Sequence, residues 1–359
     1  MRTPWHYTGT GPVREWEAQL RDYTGMRHAL LVSNATTGLL LVGLAAGLRP
    51  GDRFITGPRG WGGALVWLHL GCRVAFADLE PEGLTPDPEA VRRLIDPQTR
   101  AILSVDADGF PADDDRLRQL ADEHGLLYVY DGARSLGALR HGRPAGTRAH
   151  VLVLSFTHGK LLDVGEGGAL LTDDDRLYER LLRLSQHPLR QKRELGLDGA
   201  SEFSLNGRIH PAAALRGAAR FPQVLQRARI QRARLVRLAE ALRRTGLVYV
   251  PNLPGLEPVG RRLPFCWQGL PRPQVLAARL GPRIAVLPPT ERPIYERTPF
   301  RELFGGQVDA ASCPVAEREL ARRWTVETRH KSRCSHPSPY EGRRNRREGR
   351  EISRVVHSP

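Results

Sequence analysis

The sequence predicts an α/β protein, a mostly parallel sheet covered by helices on both faces and followed by a smaller α+β domain. Two observations carry this expectation. Short apolar strands alternate with helical segments from residue 28 to residue 172, the pattern of strands buried on both faces. After about residue 222 the alternation gives way to a basic helical run, 223–244, and to Pro-rich short strands. The chain has 359 residues and is 40% hydrophobic, enough for one large or two medium cores.

The elements follow in order. Residues 11–25 place Val13, Trp16, Leu20 and Tyr23 on one helical face, and Gly25 ends the helix. "HALLVS" (28–33) is a strand and "TTGLLLVGLAAGL" (36–48) a buried helix. "RFIT" (53–56) is a short strand, followed by a Gly-rich turn and the apolar segment 64–70. "RVAFAD" (73–78) is a strand, and "PDPEAVRRLI" (86–95) opens a helix with Pro and acids in its first turn. Strands at 101–107, 126–131, 151–156 and 168–172, with a helix over 113–124, complete the set. No internal repeat is visible. The pattern divides the chain into a large domain (1–222), a small domain (223–323) and a basic tail (324–359) too poor in apolar residues to build a core.

Formal net charge is +15, which invites a nucleic-acid partner. The excess, however, sits in the tail and in the run Arg227–Arg244. It is also almost entirely arginine, because lysine occurs only at Lys160, Lys192 and Lys331. Nucleic acid is therefore not expected as a partner. The four cysteines, Cys72, Cys266, Cys313 and Cys334, have neither metal-ligand spacing nor a disulfide framework. The start "MRTPWHYTGTGPVREWE" lacks the apolar segment of a signal peptide, and no run is long enough to span a membrane. A cytoplasmic protein without membrane attachment is expected.

In such sheets ligands collect at the carboxyl ends of the strands. Ser33, Asn34 and Thr36 join the first strand to its helix, where free N–H groups suit a phosphate, although the same residues are ordinary caps. Asp131 ends "LLYVYD", where it faces the ligand side or caps a turn. Trp61 in "PRGWGGA" is a plate for a flat ring or a core residue. His158 has no visible partner and is read as structural. Ser155 and Lys160 lie in "SFTHGKLLDVGEGG" between two apolar strands. In a chain that uses arginine for plain positive charge, a retained lysine in apolar surroundings points to a nucleophilic amine. Together a phosphate seat, an aromatic plate, a carboxylate and a nucleophilic lysine match what pyridoxal 5'-phosphate requires.

"SFTHGKLLDVGEGGALLT" resembles the cofactor-lysine motif of the DegT/DnrJ/EryC1/StrS aminotransferases. Further segments match in order: "GPVREWEAQLRDYTGMRHALLVSNATTGL", "VDADGFPADDDRLRQLADEHGLLYVYDGARSLGA" and "LNGRIHPAAA". The resemblance spans about residues 10–323 and looks most like the 3-amino-5-hydroxybenzoate synthase and aminocyclitol branch. It implies the aspartate aminotransferase-like fold, with a large, mixed, mostly parallel seven-stranded sheet and a small C-terminal domain. It also implies roles. Lys160 carries the cofactor and shuttles the proton, Asp131 pairs with the ring nitrogen, and Trp61 stacks on the ring. Thr36, with Ala35 and Thr37 through backbone amides, and Ser155 hold the phosphate. Asn206 reaches the phosphate of a neighbouring subunit in a homodimer with shared active sites. Arg134 and Gly132 depart from the family's Gln and Ala, so a guanidinium stands beside the ring where an amide is usual. The basic tail stands in for the family's final apolar strand and helix.

The expected reaction passes an amino group from glutamate or glutamine to a ketone of a sugar or cyclitol. Two alternatives remain at this stage: a dehydrating or aromatising synthase on the same cofactor, and a non-catalytic partner or regulatory subunit that retains the fold.

Overall fold

The structure, a computed structural model, describes residues 4–328 except 61, 82–83, 198–203, 246–247, 250–253, 261, 268–283 and 310–311. Its centre is a seven-stranded sheet built from β1 (His28–Val32), β2 (Arg53–Thr56), β3 (Arg73–Phe76), β4 (Thr99–Val105), β5 (Leu127–Asp131), β8 (Val151–Ser155) and β9 (Gly168–Thr172). The spatial order is β1-β9-β8-β5-β4-β2-β3. β9 runs antiparallel to both of its neighbours and the other pairings are parallel. A two-strand ribbon, β6 (Leu139–Arg140) and β7 (Arg143–Pro144), follows β5.

Two apolar layers cover the sheet, which is why its strands carry continuous apolar runs. One layer joins α2 (Pro12–Thr24), α4 (Pro88–Leu94), α5 (Asp114–Glu123) and the first half of α8 (Pro211–Arg244) to one sheet face. Trp16 is its anchor, wholly buried on α2 and 4.6 Å from the Phe156 ring. α8 approaches so closely that a β-carbon on Gly217 would meet the Trp16 ring at 2.1 Å. The other layer brings α3 (Ala35–Ala45), the turn segment Gly62–Leu70, α6 (Asp175–Ser185) and the helices Thr298–Phe304 and Pro314–Arg322 onto the opposite face. Asp78, just past β3, caps the last of these by accepting from the amides of Val315 and Ala316, each at 2.9 Å. A buried ion pair ties α2 to α7 (Pro188–Leu195), with Glu17 bonded to Arg190 at 3.0 and 2.9 Å and also accepting from the Leu31 amide.

Two boundaries differ from the sequence reading. The basic run 223–244 is the second half of one 34-residue helix that starts at Pro211, capped by His210. Pro222 reads as a boundary but sits inside the helix. The first half of α8 packs in the Trp16 layer, whereas Leu235, Leu238 and Leu242 pack with Leu263 and Phe265 in a third, smaller core.

The second correction concerns the tail. Residues 323–328 form β14 (Arg323–Thr328), in a four-stranded antiparallel sheet with β10 (Val248–Tyr249), β12 (Arg262–Trp267) and β13 (Ile284–Leu287), ordered β10-β12-β14-β13. A strand is therefore kept where the sequence reading lost one. Its alternation Arg-Trp-Thr-Val-Glu-Thr buries Val326 and half-buries Trp324 against the small core. The rest of the expected tail, 329–359, lies outside the described residues. Among the described residues no helix is long and apolar enough to cross a membrane.

Candidate active site

The carboxyl ends of the parallel strands meet at one edge, and there the side chains of interest converge. The register sets Val105 beside Asp131 and Asp131 beside Val153, while Gly168 pairs with both Val32 and Ser155. A cavity of about 1100 Å³ opens above this edge. Ala35, Thr36, Thr37, Asp131, Arg134, Ser155 and Lys160 all line it. Trp61 lies outside the described residues, although its neighbours Arg59 and Gly60 reach the cavity wall.

Lys160 follows β8 by five residues, in the turn that returns to β9. Burial, and next the guanidinium of Arg134, hold its ammonium below the usual lysine value, while the Asp131 carboxylate works in the opposite sense. Asp131 is 6% exposed and its Oδ1 accepts from the Ala133 amide at 3.0 Å. Burial pushes its carboxyl up, against the pull of that amide and of the nearby Lys160 and Arg134 charges. Among the described residues no hydrogen-bond donor reaches its Oδ2.

The start of α3 forms the wall where the sequence places a phosphate seat. Asn34 is the cap and its side chain accepts from the Thr37 amide at 2.8 Å. That bond uses one of the three amides the sequence reading offered to a phosphate. The Ala35 and Thr36 amides remain, since first-turn N–H groups lack a helical partner. Ser155 is buried and its hydroxyl lies 3.2 Å from that of Thr157. The end of the lysine loop also has a structural task. A β-carbon on Gly168 would come within 2.7 Å of the Asn34 carbonyl carbon and 2.8 Å of the Ala35 nitrogen, so this glycine makes room for the α3 turn rather than for a ligand.

Asn206 does not line this cavity. It is exposed, holds a left-handed backbone (φ 54°) and accepts from the Arg208 guanidinium at 2.5 Å. His158 lines the rim with a fully solvated ring, its Nδ1 2.9 Å from an Asp163 carboxylate oxygen.

The cavity also holds residues the sequence reading missed. Arg59 is 4% exposed and pairs with Asp108 at 2.6 Å and with Glu291 at 3.0 Å. Arg262 and Arg323 reach the same wall from β12 and β14. Asp106 is buried, accepts from the Tyr130 hydroxyl at 2.5 Å, and is pushed up to about 8 by burial. Arg59 follows the same parallel strand as Trp61, whereas Asp106 was hidden because the expected strand ran to 107 and β4 ends at Val105. Glu291, Arg262 and Arg323 join the wall only through long-range folding, which local spacing does not reveal.

The family model for the DegT/DnrJ/EryC1/StrS aminotransferases matches residues 1–265. The chain belongs to this family. It is a pyridoxal-phosphate-dependent aminotransferase of the kind used in sugar and secondary-metabolite biosynthesis. It is 32% identical over 327 residues to a Streptomyces kanamyceticus protein named as an L-glutamine:3-amino-2,3-dideoxy-scyllo-inosose aminotransferase, covering 83% of this chain and 76% of that one. A solved 3-amino-5-hydroxybenzoic acid synthase superposes with a TM-score of 0.72 at 25% identity, over 89% of this chain and 86% of that one. A Brucella abortus member of the family superposes at 0.74 with 23% identity, over 90% and 86%.

The residues present fit pyridoxal phosphate. A partly buried amine, a buried carboxylate with an open oxygen, and two unpaired amides beside a buried hydroxyl line one cavity of sufficient size.

Proposed function

We propose that this chain moves an amino group from glutamate or glutamine to a ketone on a sugar or cyclitol. The single observation that carries this is the shared cavity of Lys160 and Asp131 at the carboxyl edge of the sheet. The name of the Streptomyces kanamyceticus relative supports the class of donor and acceptor.

When bound, pyridoxal phosphate supplies an aldehyde for amines and a ring that stores the electron pair of a broken C–H bond. The protein does the rest. Ala35 and Thr36 offer amides, and Ser155 a hydroxyl, to the phosphate at the positive end of α3. Asp131 would accept a hydrogen bond from the protonated ring nitrogen and keep it protonated, and that positive charge would offset the burial that otherwise neutralises the carboxyl. Lys160 would hold the cofactor's aldehyde through its amine and, with that amine free, would take and return the proton as general base and acid. Burial, and next Arg134, lower its affinity for protons, which favours the free amine that the chemistry needs.

Asn206 supports a homodimer with shared sites, because it is exposed and lies outside the cavity lining of its own chain. The Arg134 guanidinium touches the same cavity wall as Lys160 and takes the place of the family's amide near the ring.

Absorbance tests the reading. The purified chain with pyridoxal phosphate should gain a band at roughly 400–430 nm that borohydride bleaches, as amine-bound cofactor does. Glutamate or glutamine should then shift it, and Lys160→Ala should lack it. A bleachable band in Lys160→Ala overturns the assignment. Analysis of products with a ketone acceptor separates simple amination from loss of water.

A further inference from the structure

We propose that a second cavity, at the amino edge of the sheet, binds a phosphate dianion, either as the free ion or as a phosphate monoester. Arg14 and Arg21 of α2 hold it together with Arg193 of α7. The proposal does not rest on the aminotransferase reading, because this cavity shares no lining residue with that of Lys160.

The first observation is where the cavity lies and what walls it. The carboxyl end of β1 leads into Asn34 and Ala35 at the Lys160 cavity, whereas its amino end, His28 and Ala29, lines this one. The volume is about 240 Å³. That is several times the roughly 30 Å³ share of a water molecule in the liquid, so a phosphate fits with part of what it is esterified to. Gly9 closes one side, so near Arg190 that a β-carbon on it would meet the Arg190 side chain at 2.5 Å.

The second observation is that the acids of this cavity are already engaged. Glu17 accepts two bonds from Arg190 and one from the Leu31 amide. Glu194 accepts from Arg190 at 3.0 Å, from Arg193 at 2.5 Å and from the Tyr178 hydroxyl at 2.7 Å. Arg27 turns instead to Asp175, at 3.2 Å.

The third is a pair of guanidinium groups left over. Arg14 and Arg21 lie three residues before and four after Glu17, on one face of α2 and about 10 Å apart along its axis. Both are exposed and both line the cavity. Among the described residues neither guanidinium has a hydrogen bond or an ion pair. They flank Arg190, which is 1% exposed and fixed by its bonds to Glu17 and Glu194.

Charge selects the ligand. With Arg27 set aside beside its aspartate, four guanidinium groups face two carboxylates, and two positive charges stay uncompensated. A phosphate monoester carries about two negative charges at neutral pH and offers three strong acceptor oxygens, one for each of the three arginines. Arg193 keeps donors free beyond those given to Glu194 and to the Gly9 carbonyl. A carboxylate would neutralise only one of the two charges.

Calorimetric titration of the holoenzyme tests the site, with the cofactor fixed by borohydride so that its own phosphate seat is filled. Glucose 6-phosphate should bind wild type with a Kd of about 1 mM or tighter. Glucose should not bind so, and the affinity for the ester should fall as salt rises. Arg14→Gln combined with Arg21→Gln should weaken the ester tenfold or more. The thermal midpoint of the ligand-free protein should stay unchanged in that variant, since both residues are exposed and unpaired. Inorganic phosphate separates the sources: binding as tight as the ester's assigns the free ion, and weaker binding assigns the monoester. No binding of either probe at that strength, equal affinity for glucose, or an undiminished affinity in the double variant overturns the proposal. Cofactor loading is scored separately by the absorbance band, and a chain that takes up none is titrated without it.

Discussion

Gly168 and Asn34 touch with no room for a side chain between them. The first residue of β9 and the cap of α3 approach until a β-carbon on the glycine would sit 2.7 Å from the Asn34 carbonyl carbon. The loop that carries Lys160 thus ends against the turn proposed to hold the phosphate. Gly168→Val should push that turn away, lowering cofactor affinity tenfold or more and costing roughly 1–3 kcal/mol of stability, as overpacking does. Fluorescence titration with pyridoxal phosphate and urea unfolding check the two parts. Unchanged cofactor affinity in a folded variant would show the two turns to be independent.

Lys160→Arg keeps the positive charge and removes the chemistry, because a guanidinium stays protonated. The variant should fold with an unchanged circular-dichroism spectrum and lose about a thousandfold or more in turnover. Lys160→Met probes the pH dependence. The Lys160 ammonium is held below its usual value by burial and then by Arg134. Between the folded and unfolded values the unfolded chain binds more protons, so this group makes the apo-protein more stable as pH rises through that window. Lys160→Met should flatten that rise, read as the urea midpoint against pH.

Asp106 behaves in the opposite sense. Burial raises its carboxyl to about 8, against the hydrogen bonds from the Tyr130 hydroxyl and the Ala112 amide. A raised carboxyl stabilises the fold at low pH, and that contribution is lost as pH climbs from the unfolded value toward 8. Asp106→Asn, neutral throughout, should remove the decline and gain at least about 1 kcal/mol over wild type at the alkaline end. Urea midpoints at a series of pH values decide it, and parallel wild-type and variant curves would refute it.

The Glu17–Arg190 pair fixes α2 to α7. Glu17→Leu alone strands a buried guanidinium and should cost about 3–5 kcal/mol. Glu17→Leu with Arg190→Met removes both charges and should recover much of the loss. A double variant no better than the single one in thermal melts would mean that Arg190 matters through its other partners, Glu194 and Gln186.

Much of the site could be read in the sequence because a parallel sheet places its chemistry at strand ends, and strand ends are local. Asp131, Ser155 and Lys160 each follow an apolar run, and all reach one cavity. The amide of Thr37 was over-assigned because a cap and a phosphate donor share one spelling, and only coordinates show that Asn34 has taken it. Arg59, two residues before Trp61, carries no local pattern that separates it from an ordinary surface arginine. Glu291 and Arg323 belong to the wall through contacts hundreds of residues apart, which no periodicity encodes. The strand at 323–328 was hidden for a simpler reason. Its polar alternate residues made it look like part of the basic stretch that follows.

That strand has a consequence for the order in which the molecule is made. β14 lies between β12 and β13, and among the described residues it is the strand that bonds β13 into the small sheet. As the chain emerges from the ribosome, β13 therefore waits without a neighbour until residues 323–328 arrive. Arg323, which opens β14, also lines the cavity. The large sheet can assemble while synthesis continues, but the wall facing it waits for residues 323–328, so a nascent chain gains Lys160 long before it gains the chamber around it.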